Sequence, residues 1–482
     1  MRRLRQLAER TPPGRERYVD LLRALAITMV VLGHWGVTAI GYDHGRPAGH
    51  SALADLPWAW PLTWLAQVMP VFFLVGGYAN AASLAARCGR GGTATGWLVD
   101  RSARLVRPTT TLLLVLAAGA AVASARGAGA AQVRTVVWFA TIPLWFLVAY
   151  FVVVALTPPM AALHSRFGLA VPVVLVALVA LGDLGRLLGP AVLADGNYLF
   201  AWLAVHQLGF AWFDASRSAA HPAGTAAPGP ARTARTARLA DPDPGAAAER
   251  AGPCRRRLPL GRRAGGTLLA VGLAALVLLT VVGPYPVAML HIPGERLDNA
   301  APPSLALLAA ATAQLGLILL LRRPAGRWLR RPGPWRAVVA VNAVVLTVFL
   351  WHLTAAILLI GLLDALGVLP TPPVGSAAWW AWRVPWLLAL TVVLAALVAV
   401  FGPVEARTRR PPPTGPAGDG GRRLRTTLAV LGYAGLVAGL LLNSLAPKAA
   451  PEPLGLPVSA LVAYLAGAGL LRLLRSGWGS RG

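Results

Sequence analysis

An all-α, polytopic membrane protein is the fold class this sequence predicts, and three observations carry the prediction. Of its 482 residues, 56% are hydrophobic and only 13% charged, with a mean hydropathy of +0.60; soluble domains carry about a quarter charged residues. Apolar runs long enough to cross a bilayer recur along the whole chain. The basic residues behind the net charge of +27 fall in clusters between those runs, and the clusters alternate from loop to loop, as the positive-inside bias requires.

The runs lie near 22–41, 62–86, 108–125, 141–157, 169–182, 197–213, 266–283, 304–321, 337–361, 384–403, 426–444 and 456–473. They make twelve candidate spans, of which 169–182 and 197–213 are the shortest. A basic leader (1–20) precedes the first run, but no Ala-x-Ala cleavage site follows it, so an uncleaved first helix is expected. With the N-terminus inside, inner segments carry Arg87, Arg90, Arg101, Arg104 and Arg107, then Arg322 to Arg336, then Arg407 to Arg425. Outer loops carry Asp43, Asp55, Asp183, Asp195, Glu295, Asp298 and Asp364. Both termini are therefore expected in the cytoplasm.

Residues 214–264 are rich in Ala, Pro, Gly and Arg and read as a disordered cytoplasmic loop. A Pro/Gly/Arg linker (405–425) sets off a final helix pair (426–474) and a short tail (475–482) from the body at 21–404. The clustered arginines are what a membrane topology predicts, so nucleic-acid binding is excluded as a function class. Cys88 and Cys254 both fall on the cytoplasmic side, without metal-ligand spacing, so neither a disulfide nor a metal site is expected.

Candidate chemistry begins in the first helix. Arg23 and His34 are eleven residues apart, which returns them to within about 20° on one helix face and separates them by roughly 16 Å along the axis. Asp20 lies near the same face, placed to restrain Arg23. An ionisable side chain inside a span tends to mark a functional site. His206 and His352 are the other histidines within spans, where hydrogen bonding to a neighbouring helix is the plain alternative. In the second span, Gly76-Gly77-Tyr78 removes side-chain bulk near mid-membrane, for helix packing or for a substrate chain. Arg101, Arg104 and Arg107, at three-residue spacing, would line one flank of a short interfacial helix facing phosphate-bearing molecules.

These segments resemble the integral-membrane acyltransferase 3 family. The resemblance rests on Asp20, Arg23 and His34 in the first helix, Phe72-Phe73-x-x-Gly76-Gly77-Tyr78, and Arg101-x-x-Arg104-x-x-Arg107-Pro108. Leu144-Trp145-Phe146-Leu147 and Phe349-Leu350-Trp351-His352 look like later landmarks of the family. Gly76 departs from the serine that many members carry there, and the terminal helix pair lies outside the family core. The resemblance implies a ten-helix acyltransferase core plus two C-terminal helices in a bacterial plasma membrane. It also implies transfer of an acetyl or other short acyl group from cytoplasmic acyl-CoA, a cosubstrate with no permanently bound cofactor, to a hydroxyl of a carbohydrate or secondary-metabolite acceptor. In that reading the arginines hold the donor's phosphates with Gly76 and Gly77 beside them, and His34 is the general base. Tyr78, Trp145, His206 and His352 are candidates for the substrate pocket. A twelve-helix secondary transporter is the alternative. Against it stand the lack of visible internal repeats and of carboxylates within the spans.

Overall fold

The computed structural model describes residues 9, 15–43, 45–220, 258–291, 297–406, 419–448 and 450–477. Arg2, Arg3, Arg5, Arg10, Cys254 and Glu295, most of the 214–264 loop, the centre of the 405–425 linker and the end of the tail lie outside them.

The first apolar run forms α1 (Arg17–Val37), which ends four residues before the run does. Thr38–Asp43 leaves as strand β1 and pairs antiparallel with β2 (Arg46–Ser51), from Thr38↔Ser51 to Asp43↔Arg46. Gly45 turns the hairpin at φ +76°, a conformation that glycine adopts without steric cost. This hairpin is the only sheet among the described residues.

Next come α2 (Met69–Cys88), α3 (Ala94–Ala125), α4 (Ala130–Thr141) and α5 (Leu144–Ala155). The arginine triplet does not sit on a separate interfacial helix. It forms part of α3, a single 32-residue helix that runs through Pro108. Nor is 141–157 one straight span: α4 and α5 meet at a 50° bend around Ile142-Pro143, where proline cannot donate to the helical ladder.

The chain continues through α6 (Thr157–Phe167), α7 (Ala170–Leu188), α8 (Asn197–Ala220), α9 (Arg262–Val277, prolonged by a π-helical turn to Val282) and α10 (Leu305–Trp328). The expected span 337–361 is broken at Val344 into α11 (Pro332–Ala343) and α12 (Val345–Ala365). Glu405, near the end of α13 (Ala377–Ala406), accounts for the break. Its carboxylate accepts the backbone N–H groups of Leu346 (3.1 Å) and Thr347 (2.8 Å) and the Thr347 hydroxyl (2.7 Å), giving α12 its own N-terminus. The chain ends in α14 (Asp419–Leu445) and α15 (Val458–Arg475).

Ten of the described helices are long and apolar enough to cross a membrane, and the bent pair α4–α5 makes up to eleven. The remaining expected span, α8, is not among them; its polar Asn197, His206 and Gln207 are wholly buried inside the bundle. The protein is thus a helical multi-pass membrane protein. Helix α1 packs against α2, α11 and α12, while α2 packs on α8, α12 on α13, α9 on α10 and α14 on α15. The arginines of α1 and α3 cluster at one end of the bundle, and the hairpin lies at the other.

Candidate functional site

Helix α1 supplies both ends of the site. At its first turn, buried Asp20 accepts Arg15 through Nε (2.6 Å) and Nη2 (3.0 Å), and Arg23 Nη1 at 3.1 Å. The hydrogen bond to Asp20 raises the pKa of the Arg15 guanidinium above its already high value, so its charge is permanent. Asn342, at the end of α11, donates to the Asp20 carbonyl at 2.9 Å and lies 3.5 Å from Arg23 Nη1. Asp20 therefore restrains Arg23, as its spacing suggested.

From α3, Arg101 donates through Nη2 to the Tyr150 hydroxyl of α5 at 3.0 Å. Its Nε is buried without a hydrogen-bond partner among the described residues. Arg23 lies within electrostatic range of Tyr150, Arg101 and Arg15, and Arg104 within range of Arg101, Arg23 and Arg15. Two distant segments thus build one positively charged mouth. Arg107 follows on the same helix, three residues beyond Arg104.

His34 sits in the last turn of α1. Its Nδ1 is 3.2 Å from Nε2 of His352 on α12, with the rings 5.1 Å apart. His352 is wholly buried, and its Nδ1 lies 2.6 Å from the Phe349 carbonyl. A carbonyl oxygen only accepts, so His352 Nδ1 carries a proton. In the neutral ring Nε2 then offers a lone pair, and His34 Nδ1 must donate to it. This arrangement leaves the lone pair of His34 on Nε2. Backbone bonds steady the pair: Trp35 Nε1 donates to the His352 carbonyl (3.0 Å), and the Thr38 hydroxyl to the His34 carbonyl (2.6 Å).

Aromatic rings join mouth to base. Tyr150 stacks on Phe146 with centroids 5.5 Å apart, and Phe146 meets Phe349 edge-on at 5.4 Å. Gly76 makes room for this wall, since a Cβ there would lie 3.1 Å from the Tyr150 ring. Gly77 serves a different purpose. Its missing side chain lets α2 close onto α8, where the His206 carbonyl and Gly209 fill the space. Tyr78 packs on Trp212 (5.1 Å) and Phe213 (5.5 Å). His206 is buried 3.1 Å from Asn80 in the same α2–α8 contact. Trp145 is 39% exposed and touches the aromatic wall only through the edge of Phe146. The structure therefore brings Asp20, Arg23, Arg101 and Arg104 together at one end of α1 and His34 and His352 at the other. It seats His206, Gly77 and Tyr78 in helix packing.

Sequence reasoning missed Asn342, Tyr150 and Glu405, and had Phe349 only as part of a family landmark. Asn342 carried a signal, as a lone amide inside an apolar run. The others gain their roles through tertiary contacts alone. At the hairpin end, Arg383 Nη1 donates to the Thr38 carbonyl (3.0 Å) beside a cavity lined by Ile40, Trp379, Trp382 and Trp386. No three His, Cys, Asp or Glu side chains among the described residues gather as a metal site would need.

What the fold and site define is a multi-pass helical membrane protein with basic and imidazole side chains gathered inside its bundle. Residues 16–402 match the family model described as an acyltransferase domain, that of acyltransferase 3. The chain belongs to that family. Helices α14 and α15 lie beyond the match. No curated protein and no solved structure matches the chain.

Proposed function

We infer that the protein moves an acyl group, acetyl or another short one, from acyl-CoA to a hydroxyl of a carbohydrate or secondary-metabolite acceptor. The observation that carries this reading is the His34–His352 pair, with one unoccupied basic nitrogen, set along a single helix from a mouth of arginines. The donor's phosphates rest on Arg23, Arg101 and Arg104, whose fixed charge suits them. Its pantetheine arm runs along the aromatic wall and spans the roughly 16 Å of helix rise to His34. There the acceptor hydroxyl attacks the thioester carbonyl carbon and gives its proton to His34 Nε2. Collapse of the tetrahedral adduct expels the CoA thiolate, which takes that proton back from His34. The acceptor enters from the hairpin end, where His34 lies one turn below Thr38 and the tryptophan-lined cavity.

The clustered basic loops support a bacterial plasma-membrane orientation with the mouth and both termini in the cytoplasm. Asp183 in α7 and Glu405 in α13 lie inside candidate spans, contrary to the expectation that the spans hold no carboxylates, but the carrier alternative gains nothing from them. Asp20 and Glu405 are saturated as above, and Asp183 accepts from Tyr285 (2.9 Å), Asn197 (3.0 Å) and the Leu305 N–H (2.7 Å). The test is mass spectrometry of envelope glycans and metabolites from cells with the wild-type gene and with His34→Ala. An acyl-sized mass difference that depends on His34 is expected. Identical products from both strains would refute the assignment.

A further inference from the structure

We propose that the C-terminal helix pair is a working part of the anion-binding mouth: α14 and α15 splint the arginine segment of α3, and α15 adds Arg475 to it. The inference rests on the donor reading above and extends it to a part of the chain that the family match leaves out.

The segment of α3 that carries the arginines has an intrinsic weakness. Pro108 lacks an N–H, so the Arg104 carbonyl loses its helical partner. On either side of that defect the helix pair grips α3. Thr426 meets Thr95, hydroxyl to hydroxyl, at 2.8 Å, and the Tyr433 hydroxyl donates to the Leu98 carbonyl at 3.0 Å. The Tyr464 hydroxyl lies 3.2 Å from the Val106 carbonyl and 3.1 Å from the Thr110 hydroxyl. These contacts bracket residues 95–110 and hold Arg101 to Arg107 between them. The pair is stiff enough to serve as a splint. Gly432, Gly435 and Gly439 of α14 face Tyr464, Gly467 and Leu471 of α15 so closely that a Cβ at Gly439 would run into backbone and one at Gly432 or Gly435 would force its neighbours to shift.

Arg475, in the last turn of α15, completes the geometry. Its Nε is 3.8 Å from Asp100, whose other oxygen holds Arg87 Nη1 at 2.5 Å, and Arg475 lies within electrostatic range of Arg104. Arg15, Arg23, Arg87, Arg101, Arg104 and Arg475 thus surround two carboxylates, Asp20 and Asp100. That excess of positive charge suits a ligand with several phosphates.

The test uses the full chain in lipid nanodiscs, with coenzyme A and adenosine 3′,5′-bisphosphate titrated at several salt concentrations. Arg475→Ala should weaken coenzyme A binding by about tenfold and flatten the salt dependence, with the thermal midpoint unchanged. Arg475→Lys should restore most of the affinity. The double variant Tyr433→Phe/Tyr464→Phe, which touches no ligand, should weaken binding severalfold. Wild-type affinity in both the Arg475→Ala and the double variant would overturn the proposal, as would losses that only track a falling thermal midpoint. Failure of the wild type to bind coenzyme A would overturn the donor reading itself, and this inference with it.

Discussion

In the proposed mechanism His352 need not touch the substrate, yet the geometry makes His34 depend on it. Its Nε2 accepts the Nδ1 proton of His34 at 3.2 Å, and its own Nδ1 is pinned to Phe349. Replacing it with phenylalanine removes the acceptor but keeps a ring of similar size in a fully buried position. His34 can then rotate or switch tautomer, and the imidazolium formed during transfer loses a charge-assisted hydrogen bond. Such a bond is worth about 1.5–3 kcal/mol, or roughly a 10- to 150-fold loss in kcat at 1.36 kcal/mol per decade. The assay is incorporation of labelled acetyl from acetyl-CoA by membranes of an expressing host, with donor concentration varied. His352→Phe should lower kcat in that range and leave the donor KM unchanged, because the arginine mouth lies at the other end of α1. His352→Gln, whose amide oxygen can accept the same proton, should recover a substantial part of the rate. An unchanged kcat in His352→Phe, or a loss confined to the donor KM, would refute the tautomer argument.

His34→Ala should insert and fold normally but reduce transfer by about 10²–10⁴-fold, the usual scale of general-base catalysis; full activity would remove His34 from the mechanism. Arg23→Ala should raise the KM for acyl-CoA by about tenfold or more with a smaller effect on the acceptor, which steady-state kinetics in both substrates will separate. Gly76→Ala and Gly77→Ala should part company. The first displaces only the Tyr150 ring and so weakens donor binding by a few-fold, whereas the second drives a methyl into the His206 backbone and lowers the yield of folded protein, as size-exclusion profiles would report. Arg134 is wholly buried and donates to Asn443 Oδ1 (3.0 Å) and to the carbonyls of Asn443 (3.0 Å), Ala446 (3.1 Å) and Gly455 (3.1 Å). Arg134→Ala strands those acceptors and should cost about 1–3 kcal/mol for each one left unsatisfied, read as a lower thermal midpoint.

The spans were legible because bilayer crossing is written in local composition. The Arg23–His34 pairing was legible because helix geometry fixes how eleven residues turn. Where helices break was less so. The bend between α4 and α5 was missed although Pro143 is its local cause, and the break at Val344 comes from Glu405, about sixty residues further along, which no local pattern reveals. The same holds for the site. The three-residue spacing in Arg101, Arg104 and Arg107 displays a basic flank, while Tyr150, which orients Arg101, is one aromatic among many in an apolar helix. Gly76 and Gly77 look alike in sequence and differ only in what lies opposite them. The role of Arg134 is visible only where the turn between α14 and α15 closes around it.

Helix α1 carries both Arg23, proposed to meet the donor's phosphates, and His34, proposed to take the proton, with no hinge between them. The separation of Arg23 from His34 is therefore a matter of residue count. Insertion of a single residue between them would lengthen the interval by about 1.5 Å and swing His34 by about 100° around the axis, away from His352. This stretch works as a ruler whose graduations are residues, and it would tolerate substitutions on its lipid face far better than any change in its length.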